Sequence, residues 1–258
     1  MYFFGAYEPI DAYLFRTLLQ PGMVVVDAGA NVGQYSLISA LQVGLEGAVH
    51  AFEPVPRNFD HLVAHVQANN FDSIVLANRL ALWHEASILE LHRSADMMDN
   101  DGAFTAGPVE RLLESSKCHA VRLDDYVSEL RLQRLDLIKM DVEGAELFAL
   151  LGGRTSVARW RPTILMEINR VLCEALGYEP EGIWEFLRPL GYQMWLIGIS
   201  PDSSRPLSNL DRVDRANVIF HVEELPQSVK QGWSEKSVLR SHRRDSWRLN
   251  LRLARPHA

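Results

Sequence analysis

Met23-Val24-Val25-Val26-Asp27-Ala28-Gly29-Ala30-Asn31-Val32-Gly33-Gln34-Tyr35-Ser36 is the stretch whose reading decides the fold. A run of apolar, β-branched residues ends in an acid, passes through a small-residue loop and enters a segment that can start a helix. Such a run reads as a parallel strand buried on both faces. Gly29 and Gly33 lack a Cβ, so the chain can bend sharply there and bring backbone amides close to a bound group.

Outward from this unit the pattern repeats. Before it, Ile10, Tyr13, Leu14 and Leu18 share one face of a helix over residues 8–20, stopped by Pro21-Gly22. After it, a helix face at Leu37, Ile38 and Leu41 leads to a second strand, Ala48 to Glu53, again ending in an acid. Pro54 and Pro56 preset the next helix. Strands are predicted at residues 73–78, 135–141, 163–168, 192–198 and 216–222, with a short added strand at 88–92. Residues 94–117 are polar without a sustained period and read as a long loop, interrupted by a short helix near 109–113. Gly144 to Leu151 reads as a helix stopped at Gly152-Gly153. Helices alternating with strands predict an α/β fold, a parallel sheet covered on both faces with right-handed crossovers. The final strand follows a loop without a clear helix, so it is free to lie antiparallel.

The chain has 258 residues, 47% hydrophobic and 23% charged, which suits one large domain. We place that domain at 1–222, with an N-terminal helix within 1–21 and a substrate loop at 94–119. The remainder, 223–258, is a basic tail carrying Arg240, Arg243, Arg244, Arg248, Arg252 and Arg255. The tail reads as a docked surface helix; contact with an acidic membrane surface is the alternative. A formal net charge of −7 disfavours a nucleic-acid partner. Cys118 and Cys173 have neither metal spacing nor a disulfide framework. No apolar stretch is long enough to span a membrane, and the aromatic N-terminus lacks a basic n-region, so a cytoplasmic location is expected.

Glu53 stands 20 positions after Gly33, a spacing that suits a carboxylate reaching the 2′- and 3′-hydroxyls of a ribose. The loop does not match the dinucleotide pattern G-x-G-x-x-G, because Ser36 stands where its third glycine belongs. Asp27 beside the turn would also repel a pyrophosphate. A nucleoside ligand carrying an ammonium and a sulfonium fits this acidic rim better.

These residues carry a resemblance. Val26-Asp27-Ala28-Gly29-Ala30-Asn31-Val32-Gly33, Ala51-Phe52-Glu53-Pro54, Ala81-Leu82, Arg122-Leu123-Asp124-Asp125 and above all Asp136-Leu137-Ile138-Lys139-Met140-Asp141-Val142-Glu143-Gly144-Ala145-Glu146 follow one another as in the FkbM family of S-adenosylmethionine-dependent methyltransferases. The resemblance covers about residues 10–222. It implies a Rossmann-like class I methyltransferase fold, a seven-stranded sheet with an antiparallel last strand. It also implies methyl transfer, commonly to an oxygen of a small molecule, sugar or glycan. Carried over by position, Asp27, Gly29, Asn31 and Gly33 would line the methionine part of S-adenosylmethionine, Glu53 would hold the ribose, and Ala81 and Leu82 would lie near the adenine. Trp83-His84-Glu85 and His65 depart from the family's usual residues.

Methyl transfer to a hydroxyl needs alignment, exclusion of water and a base. Asp141, at the end of the fourth strand, is the expected cofactor- or substrate-side carboxylate and Glu143 the candidate base. Two structural roles compete with these: Asp141 ordering the turn, and Glu143 capping the short helix. Asn100, Asp101 and Phe104 in the long loop, and Glu167 at the end of the fifth strand, are candidate substrate contacts. Lys139, inside an apolar strand, is expected to pair with an acid such as Glu167. His61 and His65 share a helix face without a third ligand, so no metal site is expected. Two rival functions are an NAD-dependent dehydrogenase and a non-catalytic protein retaining the fold.

Overall fold

The apolar runs that alternate with helical periods become the strands of one sheet. The computed structural model describes residues 2–3, 6–7, 9–95, 103–198 and 204–230. Two short strands, β1 (Tyr2–Phe3) and β2 (Ala6–Tyr7), pair antiparallel ahead of α1 (Pro9–Leu18). The chain then builds β3 (Val24–Ala28), α2 (Gln34–Val43), β4 (Ala48–Phe52), α3 (Pro56–Ala68) and β5 (Val75–Asn78). A smaller unit follows, made of β6 (Ala81–Leu82), β7 (Ser87–Ser94) and β8 (Leu112–Val121). The second half runs through α4 (Leu123–Glu129), β9 (Leu137–Met140), α5 (Glu146–Gly152), α6 (Arg154–Trp160), β10 (Thr163–Asn169), α7 (Arg170–Ala175) and α8 (Glu181–Leu187). It ends in β11 (Gln193–Leu196), β12 (Arg205–Leu207), β13 (Arg215–His221) and α9 (Gln227–Lys230).

The main sheet has the order β12-β11-β13-β10-β9-β3-β4-β5. The chain starts in the middle at β3, winds outward to β5, then returns to β9 and winds the other way. The order therefore reverses between β3 and β9, and the crevice at their carboxyl ends is where such sheets hold ligands. The five strands from β5 to β10 are parallel, and β13 is antiparallel to both of its neighbours. The antiparallel last strand is as expected. The sheet has eight strands where seven were expected: Arg205–Leu207, read as part of a polar loop, adds an edge strand to β11.

Alternate residues of the central strands feed opposite layers, as the period of 2 demands. Val25, Val49 and Leu137 pack with Leu14, Phe15 and Leu37 on one face. Val26, Ile138 and Met140 pack with Leu123 and Leu150 on the other. Each such side chain contributes about 1.5–3 kcal/mol on burial, which fixes the central strands and so the ends that carry the acids.

The long loop over 94–117 and the helix at 109–113 need correction. Leu112–Val121 is a strand, antiparallel to β7 and parallel to β6. Asn100, Asp101 and the tail residues from Arg240 to Arg255 lie outside the described residues. No helix among the described residues is long and apolar enough to cross a membrane.

Candidate active site

The glycine loop leaves β3 through three left-handed residues, Gly29 (φ 75°), Asn31 (φ 50°) and Gly33 (φ 95°), before α2 begins. The N–H groups of Gly29 and Ala30 donate to the Phe52 carbonyl at 3.0 and 2.9 Å, which ties the loop to β4. A Cβ on Gly29 would fall 1.8 Å from the Asp141 carbonyl oxygen, and one on Gly33 would fall 2.7 Å from Leu62 Cδ1. The close approach read from these glycines is thus made by the chain itself, Gly29 against the turn after β9 and Gly33 against α3. His65 Nδ1 lies 2.7 Å from the Val32 carbonyl and holds the loop from α3.

Glu53, directly after β4, is buried. Its two carboxylate oxygens accept from the N–H groups of Asn31 (2.8 Å) and Val55 (2.9 Å). Burial pushes its pKa up to about 7, against the pull of those two N–H bonds. The Asn58 side chain hydrogen-bonds the carboxylate as well, so three donors aim it and about one of its four lone-pair sites is left to accept. Asp27 is fully buried; Oδ2 accepts from the Ser36 hydroxyl at 2.6 Å, while Oδ1 has no hydrogen-bond partner among the described residues. Burial raises its pKa, partly countered by the Lys139 ammonium.

Across the crevice, β9 runs into the turn Asp141-Val142-Glu143-Gly144. Glu143 is left-handed (φ 52°), as is Gly144 (φ 96°). A non-glycine residue held there costs about 1–3 kcal/mol and persists only where neighbours over-determine it. Three do. The Glu146 carboxylate, at the start of α5, accepts from Val142 N–H (3.1 Å) and Gly144 N–H (3.3 Å). The Tyr178 hydroxyl donates to the Gly144 carbonyl at 2.8 Å, and the Thr105 hydroxyl donates to the Glu143 carbonyl at 2.8 Å.

The turn brings Asp141, Glu143 and Glu167 together, with one carboxylate oxygen of each within 4.8 Å of the others. Carboxylates this close share protons or a cation. Burial raises Asp141, but Lys139, with Nζ at 2.9 Å, overrides it and holds the carboxyl below its usual range. Burial followed by the Asp141 and Glu167 charges drives Glu143 well above its usual range. Glu167 is pushed up to about 8 by burial and then by Asp141, with Arg215 at 2.6 Å pulling back.

Lys139 therefore pairs with Asp141, two residues on along its own strand face, and not with Glu167. Its register partner on β10 is Leu165, which leaves Glu167 beyond the ammonium and beside Arg215. Lys139 also lies 4.6 Å from the Tyr35 ring centre.

Of the sequence candidates, Asp27, Gly29, Asn31, Gly33, Glu53 and Asp141 lie at or just beyond the carboxyl ends of β3, β4 and β9, and Glu143 and Glu167 join Asp141. Ala81 and Leu82 form β6 of the small sheet, with Leu82 buried in the core. Phe104 packs with Val55, Leu91 and Cys118. Glu146, Thr105 and Tyr178 were not singled out from the sequence. For Glu146 a signal existed: an acid opening a helix straight after a glycine turn is placed to take free amides. For the other two, partners 38 and 34 residues away leave no local trace.

Residues 27–194 match the family described as the methyltransferase FkbM domain. The chain is similar to the 31-O-demethyl-FK506 methyltransferase FkbM of Streptomyces tacrolimicus, at 31% identity over 162 residues, 52% of this chain and 60% of that protein. It is similar to the 2-O-methyltransferase NoeI of Sinorhizobium fredii at 25% identity over 170 residues, 59% of this chain and 66% of that protein. A crystal structure of methyltransferase FkbM from Methylobacillus flagellatus KT aligns with a TM-score of 0.48 and 18% identity, over 79% of this chain and 44% of that one. The chain spans less than two thirds of the length of each. The family match runs from Asp27, at the head of the glycine loop, past the acid turn to Met194 in β11, and so takes in both walls of the crevice: the chain belongs to the FkbM methyltransferase family.

Proposed function

We propose that this protein transfers the methyl group of S-adenosylmethionine to a hydroxyl oxygen of a small molecule or glycan. The observation that carries the reading is the pairing, across one crevice, of an aimed and buried Glu53 with the strained acid turn at Asp141–Gly144. The residues fit the cofactor's chemistry. Glu53 keeps acceptor capacity for a ribose hydroxyl, and the unpartnered Asp27 Oδ1 supplies negative character beneath a loop that would meet a cationic amino-acid end. Gly29, Asn31 and Gly33 would line that end. When bound, the cofactor supplies a methyl group made electrophilic by a sulfonium.

The chain's own residues do the rest. Glu143 is the base: a carboxylate made more basic by burial and by like charges is better matched to a hydroxyl proton. Asp141, kept ionised by Lys139, and Glu167 stand on its flank to orient the acceptor. Transfer to oxygen is supported by the names of the Streptomyces and Sinorhizobium relatives, both of which specify it. A cytoplasmic location goes with this reading, supported by two buried free thiols, Cys118 and Cys173, which suit a reducing compartment.

Calorimetry with S-adenosylmethionine, followed by a screen of hydroxyl acceptors with methyl-labelled cofactor, tests the reading. Cofactor binding and label transfer are expected. Binding of NADH in its place would favour the dehydrogenase, and no cofactor binding at all would favour a non-catalytic protein.

A further inference from the structure

The peptide group between Glu143 and Gly144 is pinned at both ends. Its N–H, on Gly144, donates to Glu146, and its carbonyl, on Glu143, accepts from the Thr105 hydroxyl at 2.8 Å. Fixing that plane fixes the backbone about Glu143, and with it the direction of the Glu143 side chain. Thr105 is suited to the task. It is 1% exposed, so water has little access to it, and its hydroxyl is fixed from both sides, accepting from Gly107 N–H at 3.0 Å while it donates. Its own backbone exchanges two hydrogen bonds with His92 of β7, at 2.8 and 3.0 Å. The hydroxyl is therefore anchored to the small sheet, outside the strands that carry the acids.

We propose that Thr105 is a positioning residue for Glu143, its hydroxyl holding the left-handed turn so that the Glu143 carboxylate stays beside Asp141 and Glu167. This rests on the reading of Glu143 as the base. Thr105 touches no reacting atom; it acts through the Glu143 carbonyl. Because Thr105 is bridged to β7 of the small sheet, the placement of the base depends on that sheet's seating against the main one.

The test is Thr105→Val, which keeps the shape and removes the hydroxyl, with Thr105→Ser as rescue, Glu143→Gln as reference and the Thr105→Val/Glu143→Gln double variant. Turnover is read with the acceptor returned by the labelled-cofactor screen. Thr105→Val should lower kcat about tenfold or more, as small misplacements of a reacting group do. The KM for S-adenosylmethionine should stay within about twofold, since the glycine loop is untouched. Serine should restore most of kcat, and in the double variant valine should add nothing to the loss caused by Glu143→Gln. The carbonyl ¹³C resonance of Glu143 should move in the valine variant and return with serine. Unchanged kcat in Thr105→Val, additive losses, or a parallel loss of cofactor affinity that serine does not repair would overturn the proposal. Full turnover in Glu143→Gln removes the base reading instead. In that event the carbonyl resonance still reports whether Thr105 holds the turn.

Discussion

At Glu53, one carboxylate does two jobs. It organises the glycine loop through Asn31 N–H and β4's exit through Val55 N–H, and in the proposed reading its remaining acceptor site takes a ribose hydroxyl. Glu53→Gln replaces an ionisable acceptor with an amide that offers one oxygen to two N–H groups. Hydrogen bonds to a charged acceptor contribute about 1.5–3 kcal/mol, so S-adenosylmethionine affinity should fall roughly ten- to a hundredfold by calorimetry. Wild-type affinity would show that the ribose is held elsewhere. Glu143 makes the opposite demand on the chain. Its ionised form is opposed by burial and by the Asp141 and Glu167 charges, so the base becomes available only as pH rises through the titration of the three-acid cluster. The kcat of the wild type should therefore climb from neutral to mildly alkaline pH. Glu143→Gln should be slow and flat across that range, and a profile that kept its slope in Glu143→Gln would assign the titration to another group.

Between elements, the contact that matters is the one between the glycine loop and the β9 turn. Gly29→Ala sets a methyl group 1.8 Å from the Asp141 carbonyl at a φ of 75°, so both loops must part. Overpacking and left-handed strain together predict a loss of about 3 kcal/mol or more. Gly191→Ala is the control: it is left-handed, with φ 87° and ψ 12°, but nothing lies within 4 Å, so only the strain of about 1–2 kcal/mol applies. Denaturant titration of the two variants gives the overlap by difference, and equal losses would mean the loops are not in contact. The strands meeting at this contact were readable because Val25 to Ala28 and Leu137 to Met140 are buried on both faces, and runs this rich in apolar residues leave few alternatives. β8 was not readable for the converse reason. Leu112 to Lys117 are largely solvent-facing, and the side chains that give it a buried face, Cys118 and Ala120, come only at its end. Asp27, Glu53 and Asp141 were legible as acids at the ends of predicted strands. The Asp141–Lys139 pair was misassigned because neighbours across a sheet depend on register, which one strand's sequence does not state.

Taken over the whole molecule, the site loads the fold with carboxylates held above their ordinary range. Burial puts Glu53 and Glu146 at about 7 and Glu167 at about 8, from 4.5. A folded-state pKa raised above the unfolded value gives stability that is complete below the unfolded pKa and is lost as pH rises through the folded one. For these three groups, stability drains away from about pH 4.5 to about pH 8. Two buried histidines act the other way in acid. Burial lowers His50 to about 4 and lowers His221 as well, so below about pH 6.5 the unfolded chain takes up protons that the fold refuses. Asp124 adds to that loss at the acid end. Although burial raises it, the Ser156 and Thr155 hydrogen bonds win, and a lowered carboxylate gives stability that disappears as pH falls. From about pH 6.5 to 8 the histidines and Asp124 change little, and the raised carboxylates, Glu143 and Asp27 among them, set the direction. The cofactor-free protein should then show a Tm that falls across this interval by scanning calorimetry. General repulsion at a net charge of −7 pushes the same way, so the distinguishing measurement is Glu146→Gln. This variant keeps an oxygen for Val142 and Gly144 N–H but cannot ionise, and its Tm should fall less steeply than the wild type's over the same interval. Parallel curves would assign the slope to diffuse charge and remove Glu146 from the account.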